Sequence, residues 1–303
     1  MKNKKIAAIV VTFNPNFELL EKVIFSASEQ VSKVYIVDNS VNDAVLEQLS
    51  EKEHLEIIAN GCNEGIAKAI NCGIEAARSD GFEYVLLLDQ DSVIPEGMIA
   101  RYSEIADNLT SKSLRFSALG PRYRNPKNGS ISRFVEFKWF RNVYKSAEKP
   151  QEVLSADFLI SSGSFYKIDV FDEVGFMDER FFIDHVDTEW FLRAKSLGFT
   201  AYGAWDVVMN HFLGEREVRL WLLRWRNQPI HKPFRLYYIT RNSLLMYRMS
   251  HVPLNWISSD ILRLVRLFFM YLIFSDPRLK SLSWMARGFV DGIRGITGPA
   301  LKK

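Results

Sequence analysis

Two aspartates follow one of the most apolar stretches of the chain. Residues 84–88 form an unbroken apolar run, and Asp89 and Asp91 come next with only Gln90 between them. Aspartate is common where a strand turns into a loop, so a solvated turn is one interpretation. The other is a divalent-cation site, because Mg²⁺ and Mn²⁺ prefer hard oxygen ligands and would bridge to the phosphates of a bound molecule.

A second acidic group lies in FFIDHVDTEW, residues 181–190. Asp184 and Asp187 are three residues apart, so they would share one face of a helix, with Glu189 close by. Like charges that share a pocket shift one another's pKa values, which makes the group a candidate for a proton acceptor. An ordinary acidic first turn, favoured by the helix dipole, is the competing interpretation.

Alternating strands and helices must position these residues. Continuous apolar runs predict strands at 5–13, 33–37, 55–58 and 84–88, and apolar residues at helical spacing predict helices near 19–27, 65–78 and 98–109. Strands without polar alternation are typical of a mostly parallel sheet that helices cover on both faces. The pattern further predicts short strands between 116 and 165, a helix at 184–195, a strand at 199–209 and helices from Trp221 onward.

In such a sheet, ligands bind beyond the carboxyl ends of the strands. Asp38 closes the second strand, where it would cap the next segment or accept the imide N–H of a pyrimidine base. Asn63 to Gly65 open a helix whose free N–H groups suit an anion. His211 ends a strand, which is compatible with packing or with metal binding. No GxGxxG follows the first strand and no GxxxxGK[ST] occurs, which argues against nicotinamide, flavin and P-loop sites.

The charge is divided unevenly along the 303 residues. Residues 211–303 hold 16 Lys and Arg against 5 Asp and Glu, a net charge of +11, whereas residues 1–210 carry −8. Two cysteines exclude a disulfide framework and favour a reducing compartment. The longest apolar run, 267–274, is too short to span a bilayer. We therefore expect a cytoplasmic protein, or one held at the inner face of the plasma membrane.

The basic C-terminal region has features of an interfacial segment. Ile261, Val265 and Phe268 recur at helical spacing with Arg263 and Arg266 beside them, and four of the seven tryptophans lie in this region. Basic amphipathic helices with tryptophan bind anionic membrane surfaces. A helical platform for homo-oligomerisation explains the pattern equally well. The acidic body and the absence of nucleic-acid motifs argue against nucleic acid as a partner.

Taken in order, these segments resemble the family-2 glycosyltransferases of the GT-A fold, and among them the bacterial rhamnosyltransferases of O-antigen and capsule (lipopolysaccharide) assembly. The motifs are VVTFNP, VDNS, NEGIAKAIN, LLLDQDSVIP, SSGSFYKI, FFIDHVDTEWFLRAKSLGF and YYITRN, and they cover roughly residues 5–245. The resemblance implies an α/β, Rossmann-like fold, with a mostly parallel sheet flanked by helices and a C-terminal helical extension. Residues 1–215 would form the catalytic domain and residues 216–303 the basic helical region.

The resemblance also implies an inverting, metal-dependent transfer of a sugar, L-rhamnose from dTDP-rhamnose, to a hydroxyl of a lipid-linked saccharide acceptor. Asp187 would be the general base, although Asp184 is an alternative, and Glu189 would support it. Mg²⁺ or Mn²⁺ would be bound by Asp91 and His211. The nucleotide sugar would be bound by Thr12, Asp38, Asn63, Gly65, Lys68, Asp89 and Gln90. Alternatives are a UDP-sugar donor, or a non-catalytic carbohydrate- or membrane-binding module, which would have no reason to keep carboxylates at several strand ends.

Overall fold

The computed structural model describes residues 4–42, 44–49, 54–210, 216–221, 225–274 and 277–300. The strands are β1 Ile6–Thr12, β2 Lys33–Asp38, β3 Leu55–Ala59, β4 Tyr84–Asp89, β5 Phe116–Arg124, β6 Phe134–Lys138, β7 Arg141–Lys145, β8 Val153–Ala156, β9 Phe165–Lys167, β10 Thr200–Asn210, β11 Arg216–Trp221 and β12 Trp225–Ile230. The helices are α1 Phe17–Ser28, α2 Ala44–Gln48, α3 Ile66–Ser79, α4 Met98–Ser111, α5 Val170–Val174, α6 Val186–Ser196, α7 Pro233–Met246, α8 Leu254–Phe274 and α9 Arg278–Arg294.

Eight strands form one sheet in the order β3-β2-β1-β4-β9-β5-β10-β8. Neighbours among β3, β2, β1 and β4 are parallel, and β10 is parallel to β5. The short strand β9 lies between β4 and β5 and is antiparallel to both, and β8 is antiparallel to β10. The predicted α/β fold, with a mostly parallel sheet and a mixed extension, is confirmed.

The strand β1 shows why helices must cover both faces of the sheet. Its side chains alternate between two cores: Ala7 and Ile9 pack into one, and Ala8 and Val10 pack into the other. Helices α3 and α6 close the first core, and α1 and α4 close the second. Burying an aliphatic side chain stabilises a fold by about 1.5–3 kcal/mol, so a strand buried on both faces is held firmly in place.

The C-terminal region differs from the prediction at its start. Helices were expected from Trp221 onward, but β11 and β12 form an antiparallel hairpin that precedes α7. The sequence of β11 accounts for this, because Val218 and Leu220 alternate with Glu217 and Arg219, and a period of two is typical of a strand. Three later prolines lie at helix starts: Pro233 is in the first turn of α7, Pro253 directly precedes α8, and Pro277 caps α9.

Helices α7 and α9 pack closely because two glycines face α7. A Cβ atom on Gly288 would lie 2.4 Å from the backbone oxygen of Tyr237, and one on Gly292 would lie 2.9 Å from the Cβ of Leu244. Neither position has room for a larger side chain without moving the helices apart. Among the described residues, no helix combines the length and apolar character that crossing a membrane requires.

Candidate active site

The carboxyl ends of β1, β2 and β4 bring three of the predicted residues to one edge of the sheet. Thr12 is paired with Asp38, and Val11 is paired with Asp89. The Thr12 hydroxyl donates to Asp38 Oδ1 at 2.6 Å, and Asp38 is only 3 % exposed. The backbone N–H and hydroxyl of Ser40 donate to the same oxygen. No described residue donates to the other carboxylate oxygen of Asp38. That oxygen is therefore available to a ligand at the carboxyl ends of the strands.

The two aspartates after β4 have different surroundings. Asp89 is half-buried, and its backbone N–H donates to Ser162 Oγ at 2.9 Å. Asp91 is exposed, and none of the described residues forms a hydrogen bond or ion pair with its carboxylate. Gln90 joins the ends of two strands, since its Oε1 accepts the backbone N–H of Phe13 at 2.8 Å.

These carboxylates fit one coordination mode of a divalent cation. Mg²⁺ is commonly held by one or two carboxylates together with the phosphates of a substrate. A pair such as Asp89 and Asp91 would therefore supply enough protein ligands. Within the described part of the chain, no group of three or more His, Cys, Asp or Glu side chains is arranged around a common point for a metal. His211, the predicted second protein ligand, lies outside the described residues.

The loop before α3 is held by its own side chains. Asn63 Oδ1 accepts the Gly65 N–H at 3.0 Å, and Asn39 Nδ2 donates to the Gly65 carbonyl at 3.1 Å. Gly65 has φ +88°, a conformation that suits glycine. The N–H of Ile66, the first residue of α3, donates to the Phe182 carbonyl at 2.7 Å. The N–H of Ile66 therefore has a partner within the protein and is not open to an anion, and the predicted role of this loop in binding the nucleotide sugar stays a prediction.

Lys68 lies one turn into α3. Its ammonium group forms an ion pair with Glu64 Oε2 at 2.8 Å, and both side chains are at least one-third exposed. The hydrogen bond and the charge of Glu64 raise the pKa of Lys68. A ligand phosphate would have to compete with Glu64 for this lysine, and its predicted role in binding the nucleotide sugar stays a prediction.

The segment before α6 is a strained turn and not the first turn of a helix. Phe182, Asp184 and His185 have φ values of +54°, +63° and +64°, and α6 begins only at Val186. The expectation that Asp184 and Asp187 share one helical face is therefore wrong. Asp184 lies in the turn, and its carboxylate forms an ion pair with Arg235 at 2.5 Å.

Asp187 is the carboxylate with the properties of a base. It lies in the first turn of α6 and accepts the Thr188 N–H at 2.7 Å. Burial raises the pKa of Asp187 above its ordinary value, and the nearby backbone N–H groups of Thr188 and Ser161 only partly oppose this effect. A raised pKa makes a carboxylate a stronger proton acceptor once it is ionised.

Glu189 belongs to a different cluster. It is 1 % exposed, and Arg193 binds both of its carboxylate oxygens at 2.9 Å. His251 lies 2.9 Å from the same carboxylate. This carboxylate lines a cleft of about 450 Å³ together with Asn71 and Phe176. Its ion pair with Arg193 favours a structural role, and the predicted support of Asp187 stays untested.

The dipeptide Ser161–Ser162 joins the two halves of the site. The backbone of Ser161 lies near enough to the Asp187 carboxylate to lower its pKa, and Ser162 Oγ accepts the N–H of Asp89. Tyr123 is buried beside them and donates its hydroxyl to the Ser162 carbonyl at 2.7 Å. Burial raises the pKa of Tyr123 well above 10, and the nearby charges of Asp89 and Asp187 raise it further. The backbone of Asp89, at the end of β4, and the carboxylate of Asp187, in α6, therefore both lie near one short segment.

Sequence reasoning missed the residues that hold the turn. Asn242 of α7 is fully buried, and its Nδ2 donates to the backbone oxygens of Phe181, Ile183 and Asp184 at 2.8–3.0 Å. Arg241 is also fully buried, and its guanidinium reaches the Arg180 carbonyl at 3.3 Å. The available signal was the pair Arg-Asn directly after the apolar residues of YYITRN, because a buried helix face rarely carries two such side chains.

Comparisons with known proteins identify this arrangement. The profile of "Glycosyl transferase family 2" matches residues 7–175, more than half of the chain and nearly all of the sheet. The chain belongs to glycosyltransferase family 2. This enzyme is 34 % identical over 302 residues to the dTDP-rhamnosyl transferase RfbF of Shigella flexneri, and the match covers 98 % of each chain. It is 24 % identical to the low-salt glycan biosynthesis hexosyltransferase Agl10 of Haloferax volcanii, over 97 % of this chain and 92 % of that one.

Solved structures share the GT-A-type fold of this glycosyltransferase. GalNAc-T7, determined with UDP, GalNAc and Mn²⁺, superposes with a TM-score of 0.62 at 13 % identity; the match covers 98 % of this chain but only 57 % of that one. Residues 1–349 of S. aureus TarS, in complex with UDP-GlcNAc, superpose with a TM-score of 0.57 at 15 % identity and cover 96 % of this chain and 81 % of that one. At these identities the likeness shows the fold alone.

Proposed function

We propose that this glycosyltransferase moves L-rhamnose from dTDP-rhamnose to a hydroxyl of a lipid-linked saccharide during synthesis of a cell-surface polysaccharide. The relative named dTDP-rhamnosyl transferase supports this donor, because the match extends over nearly the whole of both chains. A UDP-sugar donor is the second candidate, since the structural neighbour TarS binds UDP-GlcNAc.

The observation that carries the proposal is the convergence of Asp89 and Asp187 on Ser161 and Ser162. A transfer with inversion needs the leaving diphosphate on one side of the sugar and a base for the acceptor hydroxyl on the other. Asp89 lies at the strand ends, where nucleotides bind in α/β sheets, and Asp187 lies across the dipeptide. One in-line displacement fits this arrangement.

Asp187 would remove the proton of the acceptor hydroxyl as that oxygen attacks the anomeric carbon. Its raised pKa supports this role, and the ion pair of Asp184 with Arg235 argues against the alternative carboxylate.

Asp91 would hold a divalent cation, with His211 as a further ligand, and Asp89 would bind the nucleotide sugar beside it. A bound Mg²⁺ or Mn²⁺ supplies positive charge that stabilises the departing diphosphate. The structural neighbour GalNAc-T7 was determined with Mn²⁺, which supports such a cation. On the nucleotide side, the unused oxygen of Asp38 would accept the imide N–H of thymine or uracil, and its bonds from Thr12 and Ser40 would fix its orientation.

The test is a transfer assay with a panel of dTDP- and UDP-sugars and a lipid-linked saccharide acceptor. We expect product with dTDP-rhamnose, and a drop in kcat of roughly 10²–10⁴ for Asp187→Asn with little change in donor affinity. Asp184→Asn is the matched control. If Asp184→Asn is inactive while Asp187→Asn turns over normally, the base is assigned to the wrong carboxylate. If only UDP-sugars give product, the donor is a UDP-sugar and not dTDP-rhamnose.

We further propose that the C-terminal region binds the enzyme to the inner face of the plasma membrane. The outer face of α8 is apolar and exposed; it carries Ile261, Leu262, Val265, Phe268, Phe269, Leu272 and Ile273, each 39–53 % exposed. The turn between β6 and β7 adds Trp139 and Phe140, which are 60 % and 63 % exposed. This turn is anchored to α8, because the Phe140 N–H donates to Ser258 Oγ at 3.2 Å. Apolar residues on a basic helical region support binding to anionic lipid.

Flotation with anionic and neutral liposomes at two salt concentrations tests the attachment. We expect recovery with anionic vesicles that falls at high salt, because salt screens surface charges beyond about 10 Å at 0.1 M. Phe268→Glu should abolish recovery, whereas Phe25→Glu on α1, which is 69 % exposed in the wild type, should not. If neither lipid binds and Phe268→Glu instead reduces the assembly size in sedimentation, the face is an interface between copies of the chain.

A further inference from the structure

The inner face of α8 carries a buried charged pair. Asp260 is 4 % exposed, and its carboxylate accepts the Tyr247 hydroxyl at 2.8 Å and Arg263 Nε at 2.7 Å. Burial raises the pKa of Asp260, but the charge of Arg263 and the contacts with His185 and Ser243 together outweigh burial and hold the pKa well below the ordinary range. The pair is therefore ionised under all physiological conditions and is fixed by its partners on α7 and α8.

The same pair contacts the turn before α6. Arg263 Nη2 lies 3.0 Å from His185 Nε2, and the Ser243 hydroxyl of α7 lies 3.2 Å from the same nitrogen. A guanidinium can only donate, so His185 accepts this bond at Nε2. The His185 ring is 8 % exposed and also packs edge-on against Trp256 at the start of α8.

His185 controls the entry of the chain into α6. Its φ of +64° is unfavourable for a residue with a side chain, so surrounding contacts must hold it there. Its carbonyl accepts the Glu189 N–H at 2.8 Å, the first hydrogen bond of α6. Asp187 lies within that bonded turn, two residues after His185. Any rotation of the backbone at His185 would therefore change the direction of the Asp187 carboxylate.

The position of α8 is itself fixed at its beginning. Asn255 Nδ2 donates to the Phe137 carbonyl, and Ser259 Oγ donates to the Lys138 carbonyl, both at 2.8 Å. These bonds tie the first turns of α8 to the hairpin of β6 and β7. The helix can thus serve as a rigid support, with Asp260 and Arg263 one turn further along.

We propose that α8 positions the catalytic base. Asp260 orients Arg263, Arg263 holds the His185 ring, and His185 sets the first turn of α6 with Asp187. The inference rests on the proposed function, in which Asp187 is the base. Asp260, Arg263 and His185 are positioning residues, because they act on the reaction through Asp187 and not by touching the sugar or the nucleotide.

The test compares Asp260→Asn with Asp291→Asn. The two aspartates are matched, since Asp291 of α9 accepts the Tyr237 hydroxyl at 2.9 Å and lies 3.7 Å from Arg287. The rate of transfer from dTDP-rhamnose is divided by the concentration of donor-binding sites, which calorimetric titration measures. Unfolded protein, which does not bind donor, is then left out of the calculated kcat. We expect kcat to fall at least tenfold for Asp260→Asn, with the donor KM within twofold of wild type, and no such fall for Asp291→Asn.

A second pair of variants covers the case in which Asp260→Asn does not fold. Arg263→Met loses stability because it leaves the buried Asp260 carboxylate without its cation, but a rate per donor-binding site counts only folded protein. Arg263→Met should lower kcat, and Arg263→Lys, which keeps the charge beside Asp260, should fold more readily and restore part of kcat. Equal kcat per binding site in Asp260→Asn, Asp291→Asn and wild type, or in Arg263→Met and wild type, would overturn the positioning role. Full activity of Asp187→Asn would instead overturn the assignment of the base, which separates the two failures.

Discussion

Replacing Asn242 by leucine should damage both stability and transfer, because its buried amide group bonds three backbone oxygens of the turn before α6. Leucine has nearly the same shape but no donor. The backbone oxygens of Phe181, Ile183 and Asp184 would lose the Nδ2 group that now bonds all three. The turn contains two residues, Asp184 and His185, with φ above +60°. This conformation is unfavourable for the backbone by itself, so the turn depends on its tertiary contacts.

The magnitude follows from the bonds lost. The amide has two N–H groups, and a buried polar group left without its partner costs about 1–3 kcal/mol. Two such losses could reach about 6 kcal/mol, but the Phe181 oxygen keeps the Ile183 N–H and Arg241 as donors, so we expect roughly 2–5 kcal/mol. For a domain of this size, roughly 2 °C of Tm is lost per kcal/mol, so the Tm should fall by roughly 4–10 °C.

Thermal unfolding and transfer rate per donor-binding site are the two measurements. Asn71→Leu is the control, because Asn71 is equally buried and makes three comparable bonds, two to the backbone of Met177 and one to Glu179. We expect a similar loss of Tm in both variants but a large loss of kcat only in Asn242→Leu. A wild-type kcat in Asn242→Leu, or equal losses of kcat in Asn242→Leu and Asn71→Leu, would refute the claim that Asn242 supports transfer through this turn.

Three further predictions concern the site itself. The pKa of Asp187 is raised above 3.8 by burial, so the transfer rate should fall as the pH is lowered through a midpoint above that value. The native state then binds this proton more tightly than the unfolded state, so the wild type loses stability as the pH rises through the interval between 3.8 and the raised pKa. Asp187→Asn should therefore have a higher Tm near neutral pH and no advantage below this interval. Gly65→Ala should cost at least about 2 kcal/mol, because φ is +88° and the new Cβ would lie 2.6 Å from the Phe182 oxygen. Gly61→Ala, with φ +67° and open space around it, should cost only about 1–2 kcal/mol in urea unfolding. Asp91→Ala should abolish turnover with little change in Tm, and a wild-type rate at saturating Mg²⁺ and Mn²⁺ would remove Asp91 from the metal site.

The parallel half of the sheet could be predicted because its signal is local. The run predicted at 5–13 became β1 Ile6–Thr12, and the run at 84–88 became β4 Tyr84–Asp89. A strand in which every residue is apolar suits only one environment, the centre of a sheet that is covered on both faces. The carboxylates at the ends of these strands followed from the strand boundaries alone.

The acceptor side of the site could not be predicted in the same way. The start of α6 was placed at residue 184 instead of Val186, because the turn depends on Asn242, 58 residues away from Asp184. The antiparallel insertion of β9 between β4 and β5 likewise depends on pairing across the sheet and not on the three residues of β9. Local propensity cannot report contacts of such long range.

The hydrogen bond from Ile66 to Phe182 has a kinetic consequence. It ties the backbone of α3, directly after the proposed nucleotide-binding loop, to the backbone of the turn before α6, with 2.7 Å between nitrogen and oxygen. The two segments are closely packed, since a Cβ on Gly65 would lie 2.6 Å from the Phe182 oxygen. In the proposed function, a donor that moves residues 61–65 on binding would move this turn as well, so the acceptor pocket would take its final shape only after the nucleotide sugar is bound. Substrates should therefore add in a fixed order, donor first, and the free nucleotide should inhibit competitively against the donor alone.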